Sequence, residues 1–152
     1  MPRYRVDIRV EFLPPPGAER QVRDAVLATL AMENQPVDSE VTLLFTDEAM
    51  IRSLNRQFMG DDKVTDVLSF PAGDPTPGSE KYLGDIAISV PTALIQAEHA
   101  QVPVNAELQL LAVHATLHLL GYDHYKPAER QRMWGVQSQI MADLGVGFAA
   151  PS

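Results

Sequence analysis

An apolar stretch, NAELQLLAVHATLHLLGYDH, places three of the chain's four histidines within twenty residues. Its leucines and alanines recur with helical spacing, so the stretch is predicted to form a mostly buried helix with Asn105 as its N-cap. On such a helix His114 and His118 lie four residues apart on one face. Gly121 then permits the left-handed turn that commonly ends a helix. This turn can return His124 toward the other two imidazoles.

Three imidazoles in this arrangement are typical of a metal site. His114, His118 and His124 are predicted to bind one divalent ion and to leave a fourth position open, as catalytic zinc sites do. A single histidine on an apolar helix is more often a hydrogen-bonded core residue, and it is the joint spacing that favours metal binding. Zinc is predicted from the ligand type, although imidazole also suits nickel, copper and iron.

The same spacing, including the glycine, occurs in the metal-binding helix of metzincin proteases. Those enzymes carry a general-base glutamate directly after the first histidine, whereas this chain has Ala115. Alanine cannot carry a proton. The pattern therefore predicts a metal site without predicting peptidase chemistry.

The composition indicates one folded domain spanning residues 1–152. Apolar residues make up 45% of the chain and charged residues 21%, which are ordinary values for a globular protein. No apolar run reaches the roughly eighteen residues of a membrane span, and the alternating N-terminus lacks the apolar block of a signal peptide, which favours the cytoplasm. Without cysteines, the chain has neither disulfide partners nor thiolate ligands.

The net charge of −8 argues against nucleic-acid binding through the overall field of the protein. A local basic groove is compatible with that charge, because salt screens surface charges beyond about 8–10 Å. Arg52 and Arg56 lie four residues apart on one predicted helix face. They form either a solvated surface or a clamp for phosphates.

Periodicity divides the rest of the chain into strands and helices. Four segments have the alternation or the β-branched apolar character of strands: 4–12, 41–46, 65–70 and 83–90. The last two of these strands are predicted to pair as an antiparallel hairpin. Four further segments are predicted helices: 18–33, 47–58, 92–100 and 127–144. Thr46 is the predicted N-cap of the second of these helices. This order predicts an α+β fold in which about five helices pack against one mixed sheet of about four strands.

Several blocks of the chain resemble a known family. HATLHLLGYDH is similar to the H-G-x-L-H-L-x-G-Y-D-H signature of the YbeY-type ribosomal RNA maturation factors, which are metal-dependent endoribonucleases of bacteria. TDVLSFP at 65–71 and GDI at 84–86 occur in the family's order, and the likeness covers most of the chain from about Val41 to Leu144. The resemblance implies a zinc-dependent endoribonuclease that acts on single-stranded ribosomal RNA or the small ribosomal subunit.

Individual side chains near these blocks are candidates for catalysis. The family usually carries a basic residue where this chain has Met59, so contact with the scissile phosphate is assigned to Arg56 or Lys63. Asp66 and Asp85 lie in predicted strands, where carboxylates seldom remain without partners. They are interpreted as groups that hydrogen-bond backbone amides or a ligand histidine, or act as acid or base. Arg56 and Asp85 form the predicted catalytic set.

Two other functions stay open at this point. One is a zinc hydrolase of another substrate, such as a peptide, and the other is a non-catalytic ribosome-assembly factor with a structural metal. Ala115 speaks against the peptidase. A fourth protein ligand would favour the structural metal, because structural zinc sites usually close with four ligands.

Overall fold

The chain folds into a four-stranded mixed sheet with five α-helices, and the computed structural model describes residues 3–74, 77–78, 81–123 and 125–146. The strands are β1 (Arg5–Val10), β2 (Glu40–Thr46), β3 (Val67–Pro71) and β4 (Tyr82–Ser89). The helices are α1 (Ala18–Met32), α2 (Glu48–Leu54), α3 (Val90–Ala100), α4 (Val104–Leu119) and α5 (Pro127–Asp143), and a π-helical turn, Asn55–Met59, extends α2. The predicted α+β class and its numbers of strands and helices are confirmed.

The sheet has the strand order β1-β2-β4-β3. Strands β1, β2 and β4 run parallel, and β3 runs antiparallel to β4 as the predicted hairpin requires. The register pairs Leu43 of β2 with Ile8 on one side and Ile86 on the other. Large aliphatic side chains of the three parallel strands therefore line up on one face of the sheet.

Helix α4 lies in the larger core, where it packs against β3 and β4 of the sheet and against the helices α1, α3 and α5. Leu108, Val113 and Leu117 are fully enclosed, and burying one leucine side chain stabilises a fold by about 1.5–3 kcal/mol. A helix that is apolar on all sides belongs in an interior. Although α4 is apolar, no helix in the described ranges combines the length and the apolar character that a membrane crossing needs.

A smaller core covers the opposite face of the sheet, where Ile51 of α2 packs with Leu68 and Ala87. Successive side chains of a strand point to opposite faces. Ile86 and Ile88 of β4 therefore join the larger core, while Ala87 joins the smaller one. By the same alternation, Asp85 lies on the face that is turned away from α4.

The predicted cap of α2 is wrong. Thr46 remains in strand β2, and the helix begins after Asp47, whose carboxylate accepts a hydrogen bond from the Met50 N–H at 2.8 Å. Strand β1 is shorter than predicted, and β3 begins two residues later than predicted, at Val67. The Asp66 side chain accepts from the Val67 N–H, and residue 66 lies in a bend in front of the strand.

The predicted cap of α4 is also wrong. The helix begins after Pro103, and Asn105 lies inside the first turn. Its side-chain amide donates to the Pro16 carbonyl oxygen at 3.0 Å and to Gln21 Oε1 at 2.7 Å. A contact with the start of α1, which periodicity cannot reveal, has replaced the local cap.

Candidate functional site

His114 and His118 face each other on α4. Their Nε2 atoms are 3.1 Å apart, and their rings meet edge to face, with centroids 4.6 Å apart. Both side chains are half-buried on a helix whose other positions are mostly buried. The structure therefore brings these two predicted ligands together.

The outer nitrogens of both rings are bound to oxygen acceptors. His118 Nδ1 lies 2.8 Å from the Tyr122 carbonyl oxygen, and His114 Nδ1 lies 2.8 Å from Gln137 Oε1. Neither oxygen can donate, so each Nδ1 carries the ring proton. In a neutral imidazole Nε2 is then unprotonated. Two lone pairs therefore point toward each other.

Facing lone pairs repel each other unless a cation lies between them. Two ligands bound at about 2.0–2.1 Å to a tetrahedral zinc ion lie about 3.3–3.4 Å apart, which is close to the 3.1 Å between the two Nε2 atoms. An oxygen acceptor on the second ring nitrogen is the usual setting of a metal-binding histidine. The residues present fit a divalent metal ion.

His124, the third predicted ligand, lies outside the described residues. Among the residues that are described, no group of three His, Cys, Asp or Glu side chains could hold a metal ion. The three-histidine site therefore stays a prediction.

The turn after α4 is held by its own backbone. Gly121 has a φ of 98°, and the N–H groups of Gly121 and Tyr122 donate to the carbonyls of His118 and Leu117 at 3.0 and 3.1 Å. This pattern is a Schellman motif. The Tyr122 ring packs against the larger core, and the Arg132 guanidinium lies 5.0 Å from its centre. The carbonyl group that orients His118 is consequently fixed.

The two histidines lie in the wall of a cleft of about 830 Å³, which we call the histidine cleft. Clefts of about 300–1,000 Å³ are typical of ligand sites. The cleft is lined by residues of the π-helical turn, of the loop before β3, of β3 itself and of the helices α3, α4 and α5. Its charged lining in the described chain comprises Asp61, Lys63, Asp66 and Glu107, besides the two histidines.

Glu107 lies two helical turns before His114 and is 6% exposed. Burial, and then the negative charge of Asp66, raises the pKa of Glu107. A carboxyl group with a raised pKa in a cleft is a candidate for function. Glu107 was not among the site residues predicted from the sequence, although a glutamate among leucines, seven residues before a predicted ligand, indicates a function.

The raised pKa of Glu107 leads to a pH-dependent prediction. A carboxyl group whose pKa is higher in the folded state destabilises the fold as the pH rises through the ordinary value of 4.5. Glu107→Gln should therefore raise the free energy of unfolding of the metal-free protein at pH 7, and the gain should shrink toward pH 4. Urea unfolding at both pH values measures it, with Glu98→Gln, at an exposed position of α3, as control. A gain of equal size at both pH values would contradict this explanation.

Gln137 is a second residue of the site that was not predicted from the sequence. It is 1% exposed in α5, and its Nε2 has no hydrogen-bond partner within the described chain. A buried amide with one end unsatisfied destabilises a fold, so its bond to His114 explains its presence. The feature of the sequence that could have indicated a role for Gln137 is its inward position in α5, between the apolar residues Met133 and Ile140.

The predicted catalytic residue Asp85 does not lie with the histidines. It is exposed on the face of the sheet opposite α4, where it accepts a hydrogen bond from the Tyr82 hydroxyl. Its neighbour Gly84 is the residue that faces α4, because a Cβ there would lie 2.9 Å from Leu119 Cδ2. The partner of this carboxylate is therefore a tyrosine, whereas the sequence predicted a backbone amide or a ligand histidine.

Arg56, the other predicted catalytic residue, is exposed on the π-helical turn and is absent from the described lining of the cleft. Arg52 is bound to Asp62 through two hydrogen bonds of 2.8 and 3.2 Å, and this contact lowers the pKa of Asp62. Arg52 is thus not a free half of a phosphate clamp. Lys63 lines the cleft, as does Met59.

Asp66 lies in the cleft wall. Its Oδ1 accepts from the Val67 N–H at 2.8 Å and from the Thr65 hydroxyl at 3.3 Å. The backbone amide that was expected as a partner is present.

The sequence and the structure of this chain are similar to those of known proteins. A sequence model of the family Endoribonuclease YbeY matches residues 10–145. The chain is 42% identical over 137 residues to Endoribonuclease YbeY of Bradyrhizobium sp. strain BTAi1, covering 86% of this chain and 81% of the relative. It is 44% identical over 119 residues to Endoribonuclease YbeY of Rhizobium meliloti, covering 75% and 71%.

A solved structure shares the fold. The solution structure of a Thermotoga maritima protein aligns with a TM-score of 0.61 over 97% of this chain and 96% of that chain, at 23% identity. At this identity the likeness concerns the fold alone. The family model and the relatives together cover most of the sequence, and on that evidence the chain belongs to the Endoribonuclease YbeY family.

Proposed function

We propose that this chain is a metal-dependent endoribonuclease of the cytoplasm that cuts single-stranded ribosomal RNA, with the small ribosomal subunit as its partner. One divalent ion, zinc, binds to His114, His118 and His124. The observation that carries the metal proposal is the 3.1 Å between two Nε2 atoms, on rings whose Nδ1 atoms each lie 2.8 Å from an oxygen acceptor. Membership of an endoribonuclease family supports RNA cleavage, and the resemblance of the histidine and TDVLSFP blocks supports ribosomal RNA as substrate.

The chemistry divides between the ion and the chain. When bound, a divalent ion supplies a positive charge that polarises a phosphoryl oxygen and stabilises the charge that develops in the transition state. His114 and His118 present their lone pairs to it. Gln137 and the Tyr122 carbonyl hold both rings in one tautomer, and Lys63 adds a positive charge to the lining of the cleft.

A peptidase reaction has no support at this site. Ala115, directly after His114, is 1% exposed and packs in the core. Its methyl side chain has no group that can carry a proton to a departing amine. The alkoxide that leaves from RNA is less demanding, because positive charge near the phosphate can stabilise it. The geometry therefore favours phosphodiester cleavage over peptide hydrolysis.

Cleavage of a ribosomal RNA precursor fragment tests the proposal. Protein made in a host that lacks its own homologue should cut the fragment and leave unfolded casein intact. A chelator should abolish the cutting, and added zinc should restore it. Cutting by metal-free protein at the rate of the loaded protein would contradict metal dependence, and digestion of casein would favour the peptidase.

A further inference from the structure

The histidine cleft offers little positive charge to a phosphate backbone. Asp61, Asp66 and Glu107 contribute three carboxyl groups to its described lining, and Lys63 contributes one ammonium group. Met59, which is 47% exposed, adds an apolar surface. Phosphates attract proteins through Lys and Arg side chains. Beyond the charge of the proposed ion, a strand of RNA in this cleft must therefore gain affinity from contacts with other parts of the nucleotide.

Tyr125 offers a surface for a base at the rim of the cleft. It is 80% exposed and lines the cleft together with His118. Its backbone N–H donates to Asp123 Oδ1 at 2.8 Å, four residues after the Gly121 turn that is tied to the end of α4. A large aromatic ring is thus presented beside the metal ligands while burying little of its own surface in the fold.

Aromatic rings bind unpaired bases of every type, because each base has a π-face, and single-stranded RNA exposes such bases. We propose that Tyr125 is a stacking platform for an unpaired base next to the phosphate that is cut. This inference rests on the proposed function and deepens it. The cleft selects single strands because a base in a duplex is already stacked and cannot reach the ring.

Binding of a short 2′-O-methylated single-stranded RNA to the metal-loaded protein tests this inference. Tyr125→Ala should lower the affinity roughly 5- to 150-fold, the range that corresponds to the loss of one base–aromatic stack. Tyr125→Phe and Tyr125→Trp should keep the affinity within about twofold, since both keep an aromatic face. The salt dependence should be the same for Tyr125→Ala as for the wild type, because no phosphate contact is lost.

Controls separate stacking from a loss of folding or of metal. The thermal midpoint and the metal content of Tyr125→Ala should match the wild type, as expected for a residue that is 80% exposed. Phe12→Ala changes an aromatic residue that does not line the cleft and should leave RNA affinity unchanged. An oligonucleotide with abasic sites should bind the wild type and Tyr125→Ala equally.

Two results for affinity would overturn the inference: Tyr125→Ala with wild-type affinity, or Tyr125→Phe as weak as Tyr125→Ala, which would assign the contact to the hydroxyl group. A shallower salt dependence in Tyr125→Ala would also overturn it. If the wild type binds and cuts no RNA, the proposed function itself fails, and that result is distinct from all three.

Discussion

His114→Ala and His118→Ala should each reduce the metal content of the purified protein to near zero. If three ligands share equally the roughly 10–16 kcal/mol with which structural sites bind zinc, the loss of one weakens binding by about 3–5 kcal/mol. That loss corresponds to roughly 10²- to 10⁴-fold in affinity. Elemental analysis and competition with a chromophoric chelator measure it, and RNA cleavage should fall in parallel.

Two further variants make this test specific. His99→Ala removes an exposed histidine of α3 and should leave metal content and cleavage unchanged. Gln137→Leu removes the acceptor of His114 Nδ1 and should weaken metal binding roughly 10- to 100-fold, as expected for the loss of a ligand's hydrogen-bond partner. Stoichiometric metal in both His114→Ala and His118→Ala would refute the assignment of the ligands.

Gly84→Ala should strongly destabilise the fold. Gly84 has a φ of 141°, and a Cβ there would overlap the Phe70 carbonyl oxygen and lie 2.9 Å from Leu119 Cδ2. Overpacking of a core and strain of the backbone each contribute of order 1–3 kcal/mol, so the sum is about 2–6 kcal/mol. Typical domains are stable by only about 5–15 kcal/mol, and urea unfolding measures the loss.

The matched control is Gly135→Ala. This glycine lies inside α5, and a Cβ there would have no atom within 4 Å among the described residues, so alanine should stabilise the helix by about 1 kcal/mol. Because Gly84 lets the end of α4 approach the sheet, Gly84→Ala should also weaken metal binding at His118. Equal stability of Gly84→Ala and the wild type would show that the end of α4 can move away without loss.

The sequence predicted those features that depend on neighbours along the chain. The pairing of His114 with His118 follows from helical spacing alone, and the turn at Gly121 follows from the left-handed φ that glycine adopts easily. The strand and helix order was readable for the same reason. The order of strand patterns and helix patterns along the chain favours an α+β fold with one mixed sheet.

Features that depend on distant parts of the chain were not readable. Asn105 is a poor guide to the start of α4 because its amide is bound by Pro16 and Gln21. The face on which Asp85 lies depends on how β4 is placed between α4 and α2. Arg52 is bound to Asp62, which lies ten residues further along the chain. Such distant partners cannot be inferred from the local pattern of residues.

An anomalous-difference map of crystals grown from protein purified without chelators, recorded at the zinc absorption edge, tests the central claim most directly. We expect one peak, bonded to Nε2 of His114 and of His118 at about 2.0–2.1 Å, with His124 as the third protein ligand. Density between the two rings that shows no anomalous signal, or a metal ion bound only by other side chains, would contradict the assignment of this helix as the metal site.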